Sequence, residues 1–296
     1  MNSITIQCLS EAISPITHAS GTVGNESIVA REPVRTPRGV VMVPFLSGNA
    51  LRHRAVRQPG VMYLIDELGL RRNLSLMQLN FLLHGGNLTQ STAHENTKRI
   101  AEMHALFPLL KLCGGSLPDQ ILSGSLHVWR GTMICEENRQ SLQAFLDLPS
   151  ERLLSAEAWL GGYQYTRGDG KKTGVAQVPE DEEGQQSNLM IYSGQAVQRG
   201  AMFAHGFVLQ HAGAVEVGAL VWSLMQWQHS GGTIGGNSRL GHGRLHTELV
   251  MDASINAEEC VEQYLGHVAA NKEACVAWLQ DAFAAKAEKP KKGKSK

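Results

Sequence analysis

The sequence Val-Pro-Phe-Leu-Ser-Gly-Asn-Ala-Leu-Arg at residues 43–52 decides the fold of this chain. The apolar run at residues 40–45 predicts a short buried strand that ends at Pro44. Ser47 is a preferred N-cap residue, so we expect a helix to begin there and to stop at Pro59-Gly60. A strand therefore leads directly into a helix N-terminus, whose free backbone N–H groups and positive dipole end suit an anion.

Arginine is concentrated around this stretch. Glu32 is the one acidic residue among six arginines between residues 31 and 57. Arginine has forked donors that match phosphate oxygens, and Gly48 lets a phosphate approach the helix start closely. The alternative is a capped surface helix with solvated arginines, which the residue types alone favour. The six arginines are Arg31, Arg35, Arg38, Arg52, Arg54 and Arg57.

A second cluster, at residues 231–244, holds six glycines in fourteen residues. Because so many glycines cannot pack a core, the backbone of this loop is expected to approach something closely. It is not a Walker loop, since no Gly-Lys-Ser/Thr follows, and a strand follows where a dinucleotide-binding loop needs a helix. A flexible linker and an anion-binding loop both fit the cluster. Its donors are Asn237, Arg239, His242 and Arg244.

Residues 160–188 contain little core-forming material and are predicted to form a protruding hairpin. Tyr163, Tyr165 and Arg167 lie on it, beside several glycines. Aromatic and arginine side chains on such a hairpin can stack on bases or wedge between them. The alternative is that Tyr163 and Tyr165 anchor the hairpin to its own domain, and the residue types do not decide between the two.

The remaining periodicity predicts the fold class. Alternation at Ile4, Ile6 and Cys8 predicts an N-terminal strand, and helical spacing predicts a buried helix at residues 215–228. Strands and helices mix without the strict alternation of a doubly wound sheet, so we expect an α+β fold with an antiparallel sheet. No helical stripe occurs at residues 14–44, where a loop is expected. Further strands are expected at 126–135, 202–210 and 244–251, and further helices at 92–110, 138–146 and 258–285.

Composition narrows the class of protein. The chain has 296 residues, is 43% hydrophobic and carries 27 basic and 27 acidic residues, so positive charge must be gathered locally if it binds RNA. Its five cysteines lack the spacing of a zinc or redox motif, and its twelve histidines lack metal-binding spacing. Without a signal peptide or an apolar run of membrane-spanning length, a cytoplasmic protein with no membrane partner, metal or cofactor is expected.

The two motifs together resemble the repeat-associated mysterious protein (RAMP) superfamily of CRISPR-associated proteins. Residues 43–52 resemble its proline-containing strand end and Ser-Gly-Asn/Ser-x-Leu-Arg helix start, and residues 235–244 resemble its C-terminal glycine-rich loop. Arg31-Glu32-Pro33 precedes the first motif, and Gly200-x-x-Phe203 precedes the second. Among the branches, the chain is most similar to the backbone subunit of class one effector complexes, and within those to the type IV variant.

The resemblance implies a single domain over residues 1–285. Its palm would be a modified ferredoxin-like (RNA-recognition-motif-like) antiparallel sheet, with helical fingers at residues 58–150 and the hairpin at 160–188 as thumb. Residues 286–296, with six lysines, are expected to be a disordered tail that either solubilises the chain or assists nucleic-acid binding. The positions that match the family's RNA contacts are Ser47, Gly48, Asn49, Arg52 and His53, together with Gly235, Gly236, Asn237, Arg239, His242 and Arg244.

The implied partners are a guide RNA, a DNA or RNA target paired through that guide, copies of the chain stacked head to tail, and other CRISPR effector subunits. Target-cleaving relatives have an aspartate near the position of Asn25-Glu26, and its lack here argues against catalysis. One rival is a ribonuclease of the same fold with Glu26 as metal ligand. Another is a metabolic enzyme whose glycine loop binds a phosphorylated small molecule.

Overall fold

The computed structural model describes residues 3–24, 26–88, 96–143, 153–167 and 190–284. Its fold is α+β with an antiparallel main sheet, which confirms the predicted class. The strands are β1 (Ser3–Ala12), β2 (Ala19–Val23), β3 (Glu26–Val29), β4 (Arg31–Thr36), β5 (Gly39–Leu46), β6 (Gly115–Leu117), β7 (Gln120–Leu122), β8 (Leu126–Val128), β9 (Gly131–Met133), β10 (Leu160–Arg167), β11 (Met190–Val197), β12 (Met202–Gln210) and β13 (Leu245–Met251).

The helices lie between β5 and β8 and in the C-terminal third of the chain. One short helix, α6, follows β9. The α-helices are α1 (Gly48–Leu51), α2 (Gln58–Glu67), α3 (Leu76–His84), α4 (Thr97–Leu106), α5 (Pro108–Cys113), α6 (Arg139–Leu142), α7 (Ala214–His229), α8 (Ala257–Ala270) and α9 (Lys272–Ala282). Within the described ranges, no helix is long and apolar enough to cross a membrane.

The main sheet has the strand order β13-β1-β12-β9-β5-β4, and β8 also pairs with β12. Both neighbours of β1 are antiparallel to it, and α7 connects them along the chain, so β12, α7 and β13 form the split β-α-β unit of a ferredoxin-like fold. Alternate residues of β1, from Ile6 to Ala12, are buried, as period-two alternation requires. A second sheet has the order β10-β11-β3-β2, in which β11 and β3 are parallel.

The prediction that Pro59-Gly60 stops the first helix is wrong. The chain continues from α1 through a π-helical turn, Arg52–Arg57, directly into α2. Pro59 lies in the first turn after the π-helical segment, a position that tolerates its missing N–H. Gly60 is required by packing, because a Cβ there would lie 2.5 Å from Ser223 Oγ on α7.

Three further expectations are corrected by local geometry. The predicted strand at 126–135 is two short strands, β8 and β9, separated by Trp129-Arg130. The predicted helix at 258–285 is two helices, because Asn271 ends α8 and its Nδ2 donates to the carbonyl of His267 at 2.8 Å. The segment expected as a loop contains β2, β3 and β4, so Arg31 and Arg35 lie on a strand.

Some of the other expectations fall partly or wholly outside the described residues. The helix expected at 92–110 is α4 followed by α5, which begins at Pro108, and the N-cap of α4 is Asn96. Residues 92–95, most of the predicted thumb hairpin and the whole lysine-rich tail lie outside the described residues. The described part of the hairpin is its two strands, β10 and β11, which pair from Leu160↔Val197 to Arg167↔Met190.

Gly60→Ala should destabilise the fold, although alanine is the better helix former. The new methyl group would meet Ser223 and Leu109, and overpacking of this kind costs about 1–3 kcal/mol. Gly266→Ala on α8 is the matched control, because nothing lies within 4 Å of its Cβ position and helix propensity should then add up to about 1 kcal/mol. Denaturant titration of both variants measures the difference, and equal effects would show that Gly60 has no packing role.

A buried polar cluster lies between β1, β12 and β13. His205 Nε2 and Ser10 Oγ are 2.8 Å apart, and Ser10 Oγ is 2.7 Å from Thr247 Oγ1. Burial lowers the pKa of His205 to about 4. Between pH 6.5 and pH 4, His205 is protonated in the unfolded chain but largely neutral in the folded one. The unfolded chain therefore binds more protons, and the stability of the fold falls as pH decreases.

We therefore expect the free energy of unfolding to fall by up to about 3 kcal/mol between pH 6.5 and pH 4. His205→Phe should flatten this part of the pH profile, whatever its effect on absolute stability. Urea titrations across this pH range check the slope, and an unaltered slope in His205→Phe would assign the acid sensitivity to other groups.

Candidate nucleic-acid interface

The helix start is fixed at both its side chain and its backbone. Ser47 Oγ accepts from the N–H of Ala50 at 3.2 Å, which confirms Ser47 as the N-cap. The N–H of Ser47 donates to Nε2 of His18 at 3.2 Å. Burial lowers the pKa of His18, which favours the neutral imidazole that this bond requires. The N–H groups of Gly48 and Asn49 precede the first intrahelical bond, so they have no acceptor within the helix.

Two predicted RNA contacts also hold the helix against β8. A Cβ on Gly48 would lie 3.0 Å from the carbonyl oxygen of Val128, so the missing side chain makes room for that strand. Arg52 Nη2 donates to the carbonyl of Leu126 at 3.0 Å. These contacts position the helix start. The sequence suggested that Gly48 makes room for a phosphate, whereas its packing shows that it makes room for β8.

The glycine loop is tied to the segment between β1 and β2. Gly236 N–H donates to the carbonyl of Thr17 at 2.8 Å, and Thr17 Oγ1 donates back to the carbonyl of Gly236 at 2.7 Å. Gly235 has a φ of +74°, and a Cβ there would lie 2.5 Å from the Thr17 oxygen. The loop is therefore anchored through its backbone, which argues against a flexible linker.

Arg54, two residues after the first motif, bonds to the glycine loop. Its Nη2 donates to the carbonyl of Gly235 at 3.3 Å, while Nη1 donates to Oε1 of Gln58 at 3.0 Å. Thr17 and His18, adjacent in the chain, bond to the glycine loop and to the helix start respectively. The motifs at residues 43–52 and 235–244 thus lie side by side. Sequence analysis missed Thr17 and His18, because nothing in their own sequence indicates which distant segments they join.

Tyr163 links the base of the hairpin to the glycine loop. Asn237 Nδ2 donates to the Tyr163 hydroxyl at 2.8 Å, and His242 meets the Tyr163 ring edge-on with centroids 5.0 Å apart. The ring lies over Gly194, where a Cβ would be 2.5 Å from the hydroxyl oxygen. Tyr163 is therefore an anchor of the hairpin, the alternative that its sequence left open.

The neighbouring aromatic rings extend this stack along the hairpin. Tyr165 stacks on Tyr163 at a centroid distance of 6.3 Å and on Tyr192 at 5.3 Å, with interplanar angles of 10° and 14°. The side chain of Arg167 lies outside the described residues. Tyr165 and Tyr192 are each partly exposed, so this pair presents aromatic surface on the hairpin.

The arginines have different environments, and not all of them are open to a ligand. Arg57 is only 7% exposed and donates to four backbone carbonyls, so it is a structural residue. Arg31 bonds Gln195 at 2.9 Å, and Arg38 lies 4.0 Å from Glu136. The side chains of Arg239 and Arg244, both on the glycine loop, are exposed.

The histidines among the predicted contacts are partly buried. His53 stacks on His84 at a centroid distance of 5.7 Å, and burial and Arg54 lower the pKa of His53. Burial also lowers the pKa of His242, whose Nδ1 is buried without a hydrogen-bond partner in the described part of the chain. Among the described residues no group of three or more His, Cys, Asp or Glu is arranged to hold a metal, and Glu26 is exposed on β3.

Comparison with known proteins identifies a solved structure with a similar fold. No family model matches the sequence, and no curated protein matches it. Among solved structures, the chain is similar to one from a type IV-B CRISPR complex, with a TM-score of 0.61 and 16% sequence identity. The match covers 86% of this chain and 92% of that one, so the shared fold includes nearly the whole of both.

Tyr163→Phe should weaken the attachment of the hairpin to the glycine loop by about 0.5–1.5 kcal/mol, the net value of a hydrogen bond. Asn237→Ala should cost about 1 kcal/mol more, because Asn237 has a φ of +57°, a left-handed conformation that alanine adopts poorly. In the double variant the two losses should not add, because both remove the same bond. Tyr165→Phe is the control, since its ring does not contact the loop. Denaturant titration of the four chains measures the coupling, and strictly additive losses would show that the bond contributes nothing.

Proposed function

We propose that this chain is the repeating backbone subunit of a CRISPR effector ribonucleoprotein and that it binds the guide RNA. The observation that carries the proposal is the bond between Arg54, in the turn that follows the helix start, and Gly235 of the glycine loop, 181 residues apart in the chain. The similarity of fold to a chain of a type IV-B CRISPR complex supports it, as does the resemblance of both motifs to the RAMP superfamily.

Phosphate is the part of the guide that this site suits. The N–H groups at the helix start and the exposed Arg239 and Arg244 of the glycine loop are donors of the kind that phosphate oxygens accept from. Such contacts hold a backbone without reading its bases. Sequence reading then falls to base pairing between the guide and a DNA or RNA target, as in other RNA-guided systems.

Assembly follows from the same proposal. Copies stacked head to tail along one RNA strand make a heterologous contact that does not close, which produces an open helical filament. The hairpin anchored by Tyr163 is then the thumb that crosses the strand, and other effector subunits end the filament. We assign no catalytic step to this chain, which leaves cleavage of the target, if it occurs, to another subunit.

Arg239→Ala should weaken guide binding for every guide sequence and lower the salt slope by up to about 0.7, the value for one neutralised phosphate on a single strand. Lys272→Ala, at the start of α9, removes the same charge away from both motifs and should leave the slope unchanged. Fluorescence anisotropy with two unrelated RNAs over a range of salt concentrations measures both effects. A loss that depends on RNA sequence, or equal effects of the two variants, would contradict phosphate binding by Arg239.

The whole proposal is tested by co-expression with a CRISPR array. The purified protein should carry RNA, seen as a raised ratio of absorbance at 260 and 280 nm, and sequencing should return guides. With complementary RNA and Mg²⁺, the assembled particle should leave the target intact. A monomer that purifies free of RNA would favour the small-molecule enzyme, and periodic cuts lost in Glu26→Ala would favour the ribonuclease.

A further inference from the structure

A groove of about 430 Å³ lies on the main sheet beside α6, separate from the contacts described above. We call it the Trp129 groove, after the largest residue that lines it. Ala204 and Thr132, partners across β12 and β9, contribute small side chains to it, and Leu142 of α6 lines it as well. A groove of this volume with mostly apolar walls has the character of a small-ligand site.

Trp129 is held in place by the sheet and is still open to solvent. The backbone N–H of Trp129 donates to the carbonyl of Gly206 at 2.8 Å. A Cβ on Gly206 would lie 2.6 Å from Cε3 of the indole, so the ring lies across that glycine. Even so, 42% of Trp129 is exposed. A fixed aromatic ring with open surface at the edge of a groove is a platform on which another planar group can stack.

The charges at the groove do not suit a phosphate. Arg130 lines the groove, but its guanidinium is paired with Glu32 and lies 4.6 Å from the centroid of the Phe45 ring. The remaining polar side chains on the lining, such as Gln7 and Ser141, are neutral donors and acceptors. An uncharged planar group with polar edges therefore matches the groove better than an anion does.

The groove is next to the helix start of the candidate interface. Val128, which precedes Trp129, contacts Gly48 through its carbonyl. On the other side, Phe45 packs edge-on against His18 at 6.1 Å, and His18 accepts the bond from Ser47. A strand whose phosphates lie at Ser47-Gly48 would thus have its bases within reach of Trp129.

We infer that the Trp129 groove binds a nucleobase of the RNA strand, stacked on the indole ring of Trp129. The inference rests on the proposed function, because the phosphate contacts at the helix start would deliver the strand to the groove. The groove adds to that function a contact with one base of the strand. This contact accepts any of the bases, because every base has an aromatic face.

The test compares a short oligoribonucleotide with an abasic oligonucleotide of the same length and charge, each binding to the full chain. Trp129→Ala should lower the ratio of the two affinities about five- to hundredfold, as expected when one stacked base is lost. Its affinity for the abasic strand and its salt slope should stay at the wild-type values. Trp129→Phe should keep most of the ratio, because a smaller aromatic ring still stacks.

Leu76→Ala, which removes an 82% exposed side chain from the first turn of α3, is the control and should change nothing. An unchanged ratio in Trp129→Ala, with salt-dependent RNA binding retained, overturns the base pocket and leaves the proposed function standing. An unchanged ratio with altered sedimentation would make the groove a protein contact instead. If the wild-type chain binds neither strand, the proposed function and the base pocket fail together.

Discussion

The paired hydrogen bonds between Thr17 and Gly236 are the constraint on which the candidate interface depends. A glycine-rich loop has few side chains to pack, so its position relative to the sheet must come from backbone contacts. Thr17 supplies both an acceptor and a donor to the same glycine, and each such bond contributes about 0.5–1.5 kcal/mol. His18, the next residue, holds the helix start. One short connection between β1 and β2 thus positions both motifs.

Arg57 shows why a count of arginines overstates the positive charge of this surface. Its guanidinium donates to the carbonyls of Phe81 and Leu82 near the end of α3, and to those of Cys113 and Gly114 at the end of α5. The carbonyls at helix C-termini carry partial negative charge, which suits a buried cation. Burial lowers the pKa of this arginine, and the carbonyls compensate part of the cost of burying it. It joins the ends of α3 and α5 to the turn Arg52–Arg57, and its guanidinium is buried away from any ligand.

Sequence periodicity predicted the elements that have one buried face. The strands β1 and β12 and the helix α7 were found because alternation and helical spacing are local properties of a sequence. Gly60 was misinterpreted as the end of a helix. A sequence does not distinguish a glycine that ends a helix from one that packing requires, and the residue that Gly60 packs against, Ser223, is far away in the chain. The same limit applies to Thr17, whose role exists only after the sheet has brought residues 17 and 236 together.

The proposed binding of a polyanion by a chain of zero formal charge depends on where its charges lie. The formal charge is zero, yet the exposed arginines of the glycine loop, Arg239 and Arg244, lie outside the ion pairs that involve Arg31, Arg38 and Arg130. Among the residues that the structure describes, the arginines of the glycine loop thus have no ion pair, whereas Arg130 at the groove beside Trp129 is paired with Glu32. A strand of RNA has the same division, with charged phosphates on one side and uncharged bases on the other. Under the proposed function, a single-stranded nucleic acid uses both surfaces, whereas a small phosphorylated metabolite uses only the first.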